Sequence, residues 1–186
     1  RGGVASASVT IADDDTAPTL SFQSALYTIT EGDSATSVLT FTLVQSDITE
    51  VETTFNLALA DGAAVQGVDF LALGSLTGSI PAGQTTATVP VTIVGDTDYE
   101  TDETFSLTVN GITNATPVSL VGNGQINNDD QQPFIHAVGG NVVEGDAGQT
   151  SDCPITLTLS NRSVETVRVT LVTQDLTATT GGAFPD

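Results

Sequence analysis

The residues with chemical capacity in this chain of 186 residues are carboxylates, and they arrive in runs. Asp13-Asp14-Asp15 comes first, then Glu31 with Asp33, then Asp61. Asp96, Asp98, Glu100, Asp102 and Glu103 follow, and Asn128-Asp129-Asp130 closes the series. No nucleophile–base pair accompanies them, and the chain has one His, so acid–base or covalent catalysis has no second partner. Coordination is what remains. Many oxygen ligands with neither His nor Cys nearby suit a hard cation, Ca²⁺ rather than Zn²⁺ or Cu²⁺. Mg²⁺ fits less well, because it takes fewer protein ligands and keeps its water.

Charge narrows the field further. Three Lys+Arg stand against 23 Asp+Glu, a formal net charge of −20. No basic patch can form, which excludes nucleic-acid binding through phosphate and charge-driven docking on an anionic membrane. So many carboxylates need dilution by water or neutralisation by cations. Hydrophobic residues make up 39% and Gly adds 18 residues, so the chain can bury a core. No apolar run approaches the roughly 20 residues of a membrane span. The lone Cys153 cannot form an intrachain disulfide. The chain starts at Arg1 without a visible signal peptide and reads as a fragment or mature piece of something longer.

An internal repeat organises the chain. Thr30-Glu31-Gly32-Asp33 recurs 113 residues later as Val143-Glu144-Gly145-Asp146, and Phe41-Thr42-Leu43 recurs 114 later as Ile155-Thr156-Leu157. Asp61 matches Asp175 at 114, and Val9-Thr10-Ile11 through Asp15 matches Gly124-Gln125-Ile126 through Asp130 at 115. The expected organisation is the last strand of one repeat (1–15), a complete repeat (16–130) and the first half of another (131–186). Thr16-Ala17-Pro18 and Gln131-Gln132-Pro133 form the joints; both are short and contain Pro.

Thr and Val are abundant within the complete repeat, apolar and polar residues alternate, and turn clusters recur; no helical period is sustained. Seven strands are predicted: A near 20–29, B near 38–46, C near 52–60, D near 73–80, E near 85–94, F near 104–110 and G near 119–127. Strand B turns Leu39, Phe41 and Leu43 inward, and strand E turns Ala87, Val89, Val91 and Ile93 inward. This is an all-β chain of seven-stranded antiparallel, immunoglobulin-like β-sandwich repeats in tandem. If strands run alternately up and down, A, C, E and G all finish at one end. Each finishes in acid, while the opposite pole carries chiefly Asp47 and Glu50. Acid-rich loops are commonly only solvated loops, but that reading does not call for convergence at one pole. Like charges packed together are costly unless a cation intervenes.

Thr30-Glu31-Gly32-Asp33, Asp61-Gly62-Ala63-Ala64, Gly67-Val68-Asp69-Phe70 and Pro81-Ala82-Gly83 come in order, followed by Gly95 through Phe105 and Ile126 through Asp130. In that order and spacing they resemble the Calx-β domain, a family named for the sodium–calcium exchanger and widespread in large bacterial surface proteins. The resemblance covers 16–130, the preceding strand and the following half repeat. It implies Ca²⁺, one or two ions per complete repeat. The ligands it implies are Glu31, Asp61, Asp96, Glu100, Glu103, Asp129 and Asp130, with Asn128 offering a carbonyl oxygen. Partial sites of neighbouring repeats are implied at Asp13, Asp14 and Asp15 and at Glu144 and Asp175. Two positions depart from the family: Gly95 and Asn128 stand where it often has Asp.

The remaining residues take plainer readings. Asp69 and Asp102 are read as turn caps rather than ligands, and Asp33 as a turn residue. His136 is read as a surface residue, and Cys153, in phase with Ile155, Leu157 and Leu159, as a small core hydrophobe. Tyr27, Tyr99 and the seven Phe suit a sandwich core. Asn114-Ala115-Thr116 and Asn161-Arg162-Ser163 match glycosylation sequons and carry little weight.

The expected function is that of a non-enzymatic, calcium-binding structural repeat of a long extracellular or cell-surface bacterial protein, an adhesin or filament. Ca²⁺ would rigidify the loop pole and the inter-repeat joint. The alternatives are a regulatory Ca²⁺ sensor of a membrane protein, or an accessory module of a secreted enzyme. Expected partners are neighbouring repeats or other copies, including strand addition through residues 1–15.

Overall fold

Alternating Thr, Val, Leu and Phe give eleven strands among the residues described by a computed structural model. These residues are 2–3, 6–10, 12, 14–143, 145–146 and 148–174. The chain divides into two units. One comprises Arg1–Thr97 and Thr101–Gln131; the other comprises Gln132–Asp186 with the short segment Asp98–Glu100. Among the described residues, no helix is long and apolar enough to cross a membrane.

Nine strands build the first unit: β1 (Thr19–Phe22), β2 (Leu26–Thr30), β3 (Thr36–Gln45), β4 (Thr53–Ala60), β5 (Thr77–Ile80), β6 (Thr86–Val94), β7 (Glu103–Asn110), β8 (Thr116–Ser119) and β9 (Val121–Asn127). They form a four-stranded sheet, β6-β3-β1-β8, and a five-stranded sheet, β2-β9-β7-β4-β5. The predicted strands B, C, E and F lie where the alternation put them, and D is shorter than expected. Strand A is broken in two, because it serves both sheets; strand G lies where expected as β9, preceded by an unexpected short strand, β8, in the other sheet. β1 pairs with β3 in one sheet, whereas β2 pairs with β9 in the other. The crossing at Gln23–Ala25 is tied down locally: the Gln23 amide donates to the Thr42 carbonyl at 2.9 Å, and the Ser24 amide to the Tyr27 hydroxyl at 3.1 Å.

Inward residues of both sheets interdigitate in one core. Phe41, Phe55, Phe70, Leu20, Leu43, Ile80, Ile93, Leu107, Val91 and Val109 are fully buried. Each such side chain contributes about 1.5–3 kcal/mol by leaving water. Phe70 and Phe105 stack with centroids 4.4 Å apart, and Phe105 meets Phe41 edge-on at 5.9 Å.

Strand directions settle where the loops gather. β2 runs parallel to β9, and both β4 and β9 run antiparallel to β7. The ends of β2, β4 and β9 therefore share one pole with the start of β7. In the other sheet Val94, the last residue of β6, pairs with Thr36, the first of β3, just beyond the turn that leaves β2.

The second unit contains β10 (Ile135–Gly139) paired antiparallel with β11 (Ile155–Leu159). Its apolar side chains are only partly covered by other described residues: Ile155 and Phe134 are exposed, and so is Cys153, whose thiol donates to the Gly140 carbonyl. The core reading of Cys153 is thus corrected, since inward phase buries a side chain only where a second sheet covers it. Phe134 departs from the core expectation for the same reason. His136 is exposed, as expected. Among the described residues of 1–15 none forms a strand, and a strand exists only by pairing.

Candidate metal centre

The acidic pole is assembled by backbone contacts between loops that are distant in sequence. Val65–Phe70 forms a closed loop: the Gly67 amide donates to the Phe70 carbonyl at 2.7 Å, and Gly67 takes φ +92°, which a side chain would strain. That loop lies along the free edge of β6. The Leu71 amide donates to the Thr92 carbonyl and the Val94 amide to the Asp69 carbonyl, both at 2.9 Å. Asp69 is thereby fixed where β6 ends. The loop after β4 lies on the first turn of β7, where the Ala64 amide donates to the Thr104 carbonyl at 3.1 Å. Gly62 is required there, because a Cβ would collide with the Thr104 carbonyl oxygen.

Within this frame Asp69, Glu100 and Glu103 offer carboxylate oxygens that all lie within 4.8 Å of one another. Asp69 is 8% exposed, and Oε2 of Glu103 is shielded from solvent. Among the described residues no other trio of His, Cys, Asp or Glu meets that closeness. The sequence places Asp69 as a turn cap. It does cap its loop, since its Oδ2 accepts from the Val65 amide at 2.7 Å. A carboxylate has about four lone-pair positions, so one such bond leaves room for a cation. The signal that could have flagged Asp69 is its place beside Phe70, whose burial draws the preceding residue into the pole.

The other expected residues lie on loops that share this pole. Glu31 is 6% exposed, and its amide donates to the Asn127 carbonyl at 3.2 Å. Asp129 Oδ1 accepts from the Gly32 amide at 3.1 Å, which ties the end of β9 to the turn after β2. Asn128 donates through its side-chain amide to the Asp130 carbonyl, and Oδ2 of Asp130 is shielded from solvent. Asp102 Oδ1 accepts from the Asn128 amide at 3.2 Å, so this carboxylate also holds backbone, though across strands rather than in its own turn. Asp61 is exposed, with Oδ1 accepting from the Gln66 amide at 3.0 Å, and Asp96 is exposed one residue beyond Gly95. Glu31, Asp61, Asp96, Asp129 and Asp130 are not part of the close trio. Asp14 and Asp15 are exposed, and Asp13, Glu144 and Asp175 lie outside the described residues.

The segment that carries Glu100 is itself held. Within the second unit the Tyr99 amide donates to the Arg162 carbonyl, and the Val164 amide to the Tyr99 carbonyl, both at 3.1 Å. Arg162 Nη2 sits 3.1 Å from Asp98 Oδ2. The Arg162 side chain is 86% exposed, so that ion pair adds little stability by itself.

The donor set fits a hard cation. It is all oxygen, partly buried and strongly negative, and a buried carboxylate is costly unless paired or metal-bound. Gly95, which departs from the resemblance, has a structural reason. A Cβ there would collide with the Gly32 carbonyl oxygen and lie 2.7 Å from that of Glu31. Gly95→Asp will therefore not add a ligand. It is expected to push the Glu31–Ala35 turn away and cost about 1–3 kcal/mol. Urea unfolding of this variant checks the claim; an unchanged midpoint would show that the turn yields freely.

The family model described as the Calx-beta domain matches residues 13–130 and 141–186. Among solved structures, the apo-form Calx CBD1 domain is similar at 22% identity over 62% of this chain and 100% of that one, with a TM-score of 0.53. The calcium binding domain CBD12 of CALX1.1 is similar at 19% identity over 60% of this chain and 44% of that one, TM-score 0.53. CBD12 from CALX1.2 aligns at 14% identity over 75% and 68%, TM-score 0.54. These likenesses establish the sandwich fold. No curated protein matches the chain.

Proposed function

The chain belongs to the Calx-beta domain family, and from that premise we propose that its acidic pole binds Ca²⁺, one or two ions per complete repeat. The observation that carries this reading is the approach of Asp69, Glu100 and Glu103 to within 4.8 Å in a chain of net charge −20. Asp69, Glu100 and Glu103 would hold the first ion. Glu31, Asp61, Asp96, Asn128, Asp129 and Asp130 would complete its shell or hold a second. The bound cation supplies positive charge that lets these carboxylates approach; it performs no chemistry. The ligands come from separate loops, so an ion bound only by the folded state stabilises that state and stiffens the pole.

The wider role we propose is structural. The chain is a piece of a long extracellular or cell-surface bacterial protein, an adhesin or filament, in which Ca²⁺ makes successive repeats rigid. A second reading, a regulatory Ca²⁺ module of a membrane protein, is favoured by the fold shared with the calcium binding domain CBD12 of CALX1.1. Affinity separates the two. Calcium modules outside cells work at about 10⁻⁴–10⁻³ M and sensors at about 10⁻⁷–10⁻⁵ M. Isothermal titration of the chain with Ca²⁺, and separately with Mg²⁺, is expected to show saturable Ca²⁺ binding in the weaker range. Micromolar binding would favour the regulatory role. Equal, weak heats for both ions would overturn the site itself.

A further inference from the structure

One side of the first unit is open between its two sheets. β5 and β6 are edge strands there, with single sheet neighbours, β4 and β3. The inward row of β6 runs Ile93, Val91, Val89, Ala87, so its side chains shrink toward the start of the strand. Gly78 on β5 adds no side chain, because a Cβ would collide with the Phe55 ring. Ala87 and Gly78 thus leave a cavity of about 260 Å³, lined also by Phe55, Leu57, Leu73 and Val89. That lies below the roughly 300–1,000 Å³ of small-molecule pockets and suits one large apolar side chain.

The chain itself shows how such an opening is filled. At the far end of β6, Phe70 pairs antiparallel with Ile93, and its ring is fully buried in the core. The flanking backbone is held by the bonds at Thr92 and Val94. After Leu71 the chain leaves β6 and crosses to β5. The two-residue period puts the backbone groups of Thr86, Thr88 and Pro90 on the same edge as those of Thr92 and Val94. Among the described residues no strand pairs with them there, and all three are exposed. Pro90 has no N–H to offer, whereas Thr88 offers a donor and an acceptor.

Charge decides what can approach. Residues 70–95 carry no Asp, Glu, Lys or Arg, so the rim of the opening is neutral in a chain of net charge −20. The field of the whole chain repels an acidic segment and draws in a basic one. We propose that this opening docks an extended segment of a partner protein, uncharged or basic, that adds antiparallel to β6 at Thr88 and sinks one Leu or Phe side chain beside Ala87. The arrangement is that of Phe70 on Ile93, repeated nearer the start of β6. Main-chain pairing supplies the affinity, and the cavity selects the side chain.

Short random peptides displayed on phage, selected on the full chain in chelator, are the probe. Recovered peptides are expected to carry Leu or Phe at one position and Lys or Arg in the flanks. Fluorescence anisotropy of the labelled peptides then compares the parent with two variants. Ala87→Leu fills the cavity. Thr88→Pro removes the edge donor with a residue type that Pro90 shows this edge accepts. Each variant is expected to keep the circular dichroism of the parent and to weaken binding about tenfold or more. A selection that recovers no such peptide overturns the proposal, as does a peptide that binds either folded variant as tightly as the parent. Self-association of the parent that Ala87→Leu abolishes would also overturn it, by making a second copy the occupant.

Discussion

Glu103→Gln will reverse the sign of its own effect between chelator and calcium. In excess Ca²⁺, at about a thousand times the dissociation constant, the parent is expected to gain about 4 kcal/mol from binding, a rise in midpoint on the order of 10 °C. Glu103→Gln is expected to lose most of that gain. In chelator the same variant is expected to melt at or slightly above the parent. The reason is local. Three carboxylates lie with oxygens within 4.8 Å of one another, and at that spacing each like-charge pair costs on the order of 1 kcal/mol or more, depending on the local dielectric. Gln keeps the shape and oxygen acceptor of Glu but removes one charge. The repulsion falls, and so does the attraction for a cation. Glu100→Gln should behave likewise. Glu50→Gln, at the opposite pole, should change neither curve. Scanning calorimetry of the parent and the three variants in both buffers checks this. A Glu103→Gln midpoint lowered equally in chelator and in Ca²⁺ would mean that Glu103 holds structure and not an ion.

Much of this arrangement is legible in the sequence, because sandwich strands follow a two-residue period and turns interrupt it. Leu39, Phe41 and Leu43 were placed inward by alternation and are buried. Alternating strand direction was enough to gather the acids at one pole, and the observed pairings of β2, β4, β7 and β9 reproduce that gathering. The break in strand A and the short strand β8 are not legible. A strand changes sheets where its hydrogen-bond partners change, and no local residue pattern records who those partners are. Asp69 was underestimated for a similar reason. Its turn chemistry is visible in sequence, but the docking of its loop along β6 is a tertiary contact. Cys153 failed in the opposite direction, since phase predicts which way a side chain points and not whether anything covers it. Gly95 shows a departure from a family pattern that packing explains: two carbonyl oxygens occupy the space its side chain would need.

The trio also depends on the core beneath it, and Phe105→Ala will expose that dependence. Phe105 is 2% exposed and stacks on Phe70 at 4.4 Å with an interplanar angle of 20°. The chain immediately before each ring carries a candidate ligand: Asp69 precedes Phe70, and Glu103 lies two residues before Phe105 on the same face of β7. The stacked rings thus set the separation of the two backbones from which these carboxylates project. Truncation to Ala removes the ring and leaves a cavity, at an expected cost of about 3–5 kcal/mol in urea unfolding. Phe41, edge-on to Phe105 at 5.9 Å, and Gly124, whose missing Cβ makes room for the ring, limit how far the site can collapse. Phe105→Leu keeps an apolar side chain in the space and is expected to cost clearly less. Both variants should lose Ca²⁺ affinity, because Phe70 loses the flat partner that orients it. Stability loss and affinity loss are separable by titrating folded protein at low temperature. If Phe105→Ala, still folded, bound Ca²⁺ as tightly as the parent, the rings would be a core contact only, and the loop Val65–Phe70 would position Asp69 unaided.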